Sequence, residues 1–329
     1  MNNSRKRSLT GIRPSGTIHI GNYLGAIKPA LECQKEYECL YFIADLHALT
    51  TNKDAGAIRE QTLDIVATWV ALGLDIEKHL LYRQSDVPMV TEFAWYLSCC
   101  TGVGFLEKAH AYKDAVQNNR DVNHGFLAYP VLMAADIVMY DVDIVPVGKD
   151  QKQHVEMARD MAGALNAAYK QELLKLPQPV IHEQVMTIPG LDGRKMSKSY
   201  KNEIPLFSPE EVLRKRVMSI KTDSTPIDQP KSLKDSLLGE LFKLFATPDE
   251  VADLEARLNN TNMGWGHAKE ELFDVINRDL QEPRQRYLEL RKDEAKLCAI
   301  LSEGAKRAYT IGRPVLDRIR KATGVGLIP

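Results

Sequence analysis

The sequence predicts an α/β protein: a doubly wound parallel sheet in the first two thirds, then an all-helical C-terminal region. Three observations carry that expectation. Short segments at residues 8–10, 39–44, 79–83 and 143–147 read as strands, the apolar run at 39–44 as a buried parallel one. Segments of helical period lie between them, which implies parallel strands joined by crossover helices. From Ser208 onward the strand signals stop and helical periods take over.

The first strand ends at Thr10, and a stretch broken into a turn by Pro14 and Gly16 follows, Gly11-Ile12-Arg13-Pro14-Ser15-Gly16. A helix is expected to open at His19-Ile20-Gly21-Asn22, with Leu24, Ile27 and Leu31 on one face. Strand, turn and helix start make either an ordinary βα junction or an anion site, since the free N–H groups of a helix start attract negative charge. The next strand ends in Asp45-Leu46-His47, polar side chains at a strand's carboxyl end, where open α/β sheets bind ligands. Helices are expected over residues 57–72 and 91–100, and a polar surface loop over 114–124.

Residues 126–140 are almost wholly apolar apart from Asp136 and read as a buried helix. A buried carboxylate needs partners. Asp136 either bonds neighbouring protein groups or accepts from a ligand N–H. After the strand at 143–147, Gly148-Lys149-Asp150-Gln151 turns into another helix, a second junction of the kind that closes on a nucleotide. Further extended pieces are expected at 180–181 and 185–188. Then comes Pro189-Gly190-Leu191-Asp192-Gly193-Arg194-Lys195-Met196-Ser197-Lys198-Ser199, a loop that is either simply solvated or able to fold over a polyphosphate. Helices are expected over 210–220, 232–245, 248–258, 264–280, 283–308 and 312–322. The domains expected are 1–207, built on the sheet, and 208–329, helical.

The formal net charge is −1, so any surface for a polyanion must be local. Arg and Lys residues of the helical tail either face solvent or contribute to such a surface. The 5 cysteines are odd in number and include no CxxC pair, which argues against a disulfide framework, a zinc site or an iron–sulfur cluster. With no apolar run of membrane-spanning length and no signal peptide, a cytoplasmic protein without a membrane partner is expected.

Two of these segments carry a family likeness. Gly16-Thr17-Ile18-His19-Ile20-Gly21-Asn22 resembles the first signature of class I aminoacyl-tRNA synthetases, His-Ile-Gly-His, with asparagine in the last place. Lys195-Met196-Ser197-Lys198-Ser199 matches their second signature, Lys-Met-Ser-Lys-Ser. Pro14-Ser15-Gly16, Gly21-Asn22-Tyr23 and the stretches 129–137 and 145–154 are similar to the tryptophanyl-tRNA synthetases of bacterial type. The likeness spans nearly the whole chain.

That resemblance implies a Rossmann-type catalytic domain, a helical domain that recognises tRNA(Trp), a homodimer, and ATP with Mg²⁺ as the energy source for joining L-tryptophan to tRNA. Residue by residue it assigns His19, Lys195 and Lys198 to catalysis. It assigns Arg13, Pro14, Ser15, Gly21, Asn22, Gly148, Lys149, Asp150, Val185, Lys195, Met196, Ser197, Lys198 and Ser199 to ATP. It assigns Asp136 to the indole N–H of tryptophan, Met133 to its ring, Tyr129 and Gln151 to its amino group, and Gly11 to the same pocket. The sequence departs from the family at Arg13, where glutamine is frequent, at Lys149, where glutamate is frequent, and at Ala115, where a basic residue often stands. A tyrosyl-tRNA synthetase, a synthetase-like RNA-binding or regulatory protein and a small nucleotidyltransferase sharing the first signature are the rival readings.

Overall fold

The apolar segments assemble into one parallel sheet. The computed structural model describes residues 5–148, 151–181, 188–260 and 262–326. Strands β1 (Arg7–Ile12), β2 (Glu38–Ile43), β3 (Leu80–Arg83), β4 (Ile144–Val147) and β5 (Gln178–Ile181) lie in the order β3-β2-β1-β4-β5. Every neighbouring pair is parallel; Leu9 stands beside Leu40, Leu40 beside Leu80, and Ile144 beside Gln178. The expected fold class is observed. The strand order reverses between β1 and β4, so the crevice beyond their carboxyl ends is the topological switch point. The turn 13–16 leaves from β1 there, and Gly148 leaves from β4.

The chain divides into two compact units. The first comprises Met1–Gly16, Ala30–Glu183 and Asp293–Pro329; the second comprises Thr17–Pro29 and Gln184–Lys292. In the first unit the sheet is covered by α1 (Ala55–Ala71), α2 (Met89–Ser98), α3 (His110–Gln117), α4 (His124–Val138) and α5 (Lys152–Tyr169). Leu9, Leu40, Tyr82, Phe93, Val131, Ala134, Val138 and Met161 form part of one buried core. The polar loop expected over 114–124 is shorter than anticipated. Residues 110–117 are helical around a buried Ala115, and Asn123 caps α4 by accepting from the Phe126 N–H at 2.9 Å.

In the second unit, residues 18–20 pair with 204–206: Ile20 N–H donates to the Ile204 carbonyl at 2.9 Å, and Leu206 N–H to that of Ile18 at 3.0 Å. The helix that opens at Ile20 widens to a π-turn over Tyr23–Ile27. Four longer helices follow: α6 (Glu210–Met218), α7 (Leu237–Phe242), α8 (Pro248–Asn259) and α9 (Trp265–Arg291). The helix expected over 232–245 is confined to α7. Glu255 accepts from Ser232 and the Leu233 N–H, Lys231 Nζ donates to the Pro226 and Gln229 carbonyls, and Ser236 caps α7. These side-chain bonds give the backbone before residue 237 an alternative to helix.

Pro283 does not begin a helix; it lies inside α9. The break falls after Lys292, where Asp293 accepts from the Lys296 N–H at 2.9 Å and caps α10 (Glu294–Thr323). The expected break before residue 312 is likewise absent, and Pro314 lies inside α10. This last helix returns to the first unit. At Gly304 a Cβ would collide with the Leu81 carbonyl of β3. Arg307 donates to the Ile76 carbonyl, Arg318 to Asp141 and the Leu173 carbonyl, and Arg320 to Glu92. Residues 17–29 belong with 184–292, and residues 293–329 belong with the sheet.

Candidate active site

His19, Gly21, Asn22 and the Lys195–Ser199 loop meet inside the second unit. His19 is the N-cap of the short helix. Its Nδ1 accepts from the Asn22 N–H at 3.2 Å, while Asn22 Oδ1 accepts from the His19 N–H at 3.1 Å. The asparagine at the signature's last place thus completes a reciprocal capping box. With Nδ1 accepting, the ring's proton sits on Nε2. Burial, with Lys198 nearby, lowers the His19 pKa to about 4. The residue is therefore a neutral N–H donor at neutral pH, not the positive charge its position suggests.

Gly21 N–H donates to Met196 Sδ at 3.3 Å. A Cβ at Gly21 would stand 3.0 Å from His19 Nδ1 and 3.2 Å from Met196 Cβ, so glycine is needed for this approach. Met196 is buried, while Lys195 and Ser199 are exposed and Ser197 and Lys198 half-buried. The loop is closed by a residue that the sequence reading missed. Buried Asn202 accepts from the Ser197 N–H at 2.8 Å and donates to Asp192 at 2.6 Å and to the Lys195 carbonyl at 3.2 Å. Its amide, with Arg194, holds the Asp192 carboxyl down at about 2. The Gly190 position admits no Cβ, because Asn202 fills that space. Only the general turn chemistry of asparagine hints at this role.

In the first unit, α4 carries Tyr129, Met133 and Asp136. Asp136 is 1% exposed and already has protein partners. His47 Nε2 lies 3.0 Å from its Oδ2, and Gln84 Nε2 lies 2.9 and 2.8 Å from Oδ1 and Oδ2. Burial raises the carboxyl's pKa, opposed by the hydrogen bonds from His47 and Gln84. His47 is marked in the sequence by its place at a strand end, whereas no sequence signal marks Gln84. The Tyr129 hydroxyl lies 2.8 Å from His154 Nε2, and His154 Nδ1 lies 2.8 Å from Gln151 Oε1. A neutral imidazole with its proton on Nδ1 satisfies both bonds, so His154 joins the two residues expected at the amino group. Rings of Phe126 and His47 stand edge-on to Tyr129 at 5.9 and 6.4 Å.

Gly11 is set by packing: a Cβ there would strike the Phe42 ring. Gly16 has φ +86°, which favours glycine. Arg13 and Ser15 are exposed, Pro14 is buried and Gly148 half-buried. Lys149, Asp150 and Val185 lie outside the described residues. Ala115 is 1% exposed inside α3, so no basic side chain can act from that position. A groove of about 690 Å³ lined by Arg59, Arg83, Asp86, Cys298, Lys306 and Tyr309 includes none of the expected site residues. Among the described residues no group of three or more His, Cys, Asp or Glu converges to hold a metal ion, and no helix is long and apolar enough to cross a membrane. Many cations of the helical tail are engaged in structure, Arg278 with Glu250 and Arg313 with Asp317 among them.

Residues 1–281 match the family of "tRNA synthetases class I (W and Y)". The tryptophan–tRNA ligase of Xanthomonas axonopodis pv. citri is 48% identical over 336 aligned positions, covering 99% of this chain and 78% of the relative. That of Fusobacterium nucleatum subsp. nucleatum is 46% identical and covers 98% of both chains. A tryptophanyl-tRNA synthetase structure from Campylobacter jejuni, complexed with ADP and tryptophan, superposes with a TM-score of 0.93 at 41% identity, covering 97% of this chain and 100% of that one. With its parallel sheet, its capped first signature and its closed lysine loop, the chain belongs to the class I aminoacyl-tRNA synthetases of the tryptophan and tyrosine family.

Proposed function

We propose that the chain is a tryptophan–tRNA ligase that activates L-tryptophan with ATP and transfers it to tRNA(Trp). The tryptophan carboxylate attacks the α-phosphorus of ATP, pyrophosphate leaves, and the adenylate passes its acyl group to the 3′ end of the tRNA, releasing AMP. No covalent enzyme nucleophile is needed. The observation that carries the reading is the closure of Met196 onto Gly21, which fixes the Lys195–Ser199 loop to the helix start of the first signature.

Catalysis then rests on donors that grip harder as charge develops on the phosphates. Lys195 and Lys198 supply positive charge, and His19 supplies a neutral N–H. Arg13, Pro14, Ser15, Gly21, Asn22, Gly148, Lys149, Asp150, Val185, Met196, Ser197 and Ser199 are read as further ATP contacts. Arg13 and Lys149 add positive charge where the family commonly has none. Mg²⁺ enters with the phosphates of ATP, as part of the substrate. Asp136 is read as the indole acceptor, Met133 as the ring contact, and Tyr129 and Gln151, joined through His154, as contacts of the amino group, with Gly11 at the same pocket. The helices of residues 208–329 are read as the tRNA-recognition surface. The enzyme is read as a cytoplasmic homodimer; the exposed Trp95 and Val103 offer apolar surface for a second copy.

Lys195→Ala is the test. Tryptophan-dependent ATP–pyrophosphate exchange should fall by ~10²–10³-fold in kcat, while the tryptophan dissociation constant changes less than about threefold. Equal losses in both would overturn the transition-state role.

A further inference from the structure

Gln84 opens the turn that follows β3, is 1% exposed, and has both ends of its side chain specified. Its Nε2 stands 2.9 and 2.8 Å from the two oxygens of Asp136, and its Oε1 accepts from the Leu46 N–H at 3.2 Å. The flipped amide would aim a carbonyl at a carboxylate and an NH₂ at an N–H, so the assignment is forced by both neighbours. The turn carrying Gln84 is tied to the turn carrying His47: Asp45 accepts from the Leu46 N–H at 3.0 Å, the Ser85 N–H at 3.0 Å and the Ser85 hydroxyl at 2.5 Å. Both donors to Asp136 therefore sit on one scaffold. An ionised carboxylate offers about four lone-pair sites. Oδ2 takes His47 and Gln84, while Oδ1 takes Gln84 alone.

We propose that Gln84 is a positioning residue for tryptophan selection: its amide locks the Asp136 carboxylate so that Oδ1 keeps one lone pair for an indole N–H. The proposal rests on the reading of Asp136 as the indole acceptor. A carboxylate free to rotate would present either oxygen at varied angles and lose the discrimination that a committed, buried acceptor gives.

The experiment compares L-tryptophan with its benzothiophene analogue, in which sulfur replaces the ring N–H, in ATP–pyrophosphate exchange. Gln84→Met keeps the shape and removes the amide. The expected result is a fall of about tenfold or more in the tryptophan-to-analogue ratio of kcat/KM, carried by a higher KM for tryptophan with the analogue's KM unchanged. Gln84→Glu, which retains an acceptor for the Leu46 N–H, should lose the ratio as well and serves if the methionine variant does not fold. A ratio unchanged within about twofold, or an equal rise in both KM values, overturns the proposal. Asp136→Ala, which removes the acceptor, separates the two readings. If it collapses the ratio while the Gln84 variants do not, only the role of Gln84 fails. If it leaves the ratio intact, Asp136 is not the indole acceptor, and this proposal falls with that reading.

Discussion

At the scale of the residue, His19 shows how one side chain joins structure to chemistry. Its Nδ1 caps a helix and thereby leaves Nε2–H as the donor. Its folded pKa, about 4, lies below the ordinary histidine value of 6.5. An unfolded chain then takes up a proton here as pH falls through 6.5, while the folded chain does not until about 4. The stability His19 contributes is thus present above pH 6.5 and lost as pH falls toward 4. His19→Asn keeps a side-chain acceptor for the cap and removes the titration. Its urea midpoint should fall less steeply than that of the wild type across that window. Parallel profiles would show that His19 is not held neutral by the fold.

At the scale of the element, the Lys195–Ser199 loop is held by Asn202 rather than by its own signature residues. Asn202→Ala would strip partners from Asp192, the Ser197 N–H and the Lys195 carbonyl. The cost should be ~1–3 kcal/mol. Amide exchange should quicken at Met196–Ser199 and stay unchanged in α9, and the exchange-reaction kcat should fall with tryptophan affinity intact. Unchanged protection of the loop would refute the keystone role. The two basic signature residues were legible because charge and glycine at that spacing have few structural uses. Asn202 was not, because a hydrogen-bonding asparagine looks like any turn residue until its partners are in place.

At the scale of the whole molecule, α10 belongs to the unit that holds the sheet. Gly304 lets it lie against the Leu81 carbonyl. Gly304→Ala should cost ~1–3 kcal/mol or more, because the neighbour is backbone and cannot yield. Gly266→Ala, in the first turn of α9 where a Cβ would meet nothing within 4 Å, should be neutral or slightly stabilising. Thermal melts check both, and tryptophan binding should weaken with Gly304→Ala because α10 supports β3. If tryptophan binding were untouched while tRNA charging failed, α10 would act as a separate recognition module. Helix content in the last third was readable from its apolar period. The unit to which each helix belongs was not, since it depends on close contacts at Gly304, Arg307, Arg318 and Arg320 with residues more than a hundred positions away.

The sequence by itself determined the parallel sheet, the two signatures and the family. Apolar runs at alternating spacing and glycine-bounded polar clusters encode local structure, and local structure is what periodicity reports. Only the tertiary structure decided that Asp136 meets His47 and Gln84, that His154 bridges Tyr129 and Gln151, and that Asn202 closes the lysine loop. Each of these is a bond between residues whose proximity is set by the packing of separate elements. Hydrogen bonding is short-ranged and directional, so its partners become definite only when the chain is folded.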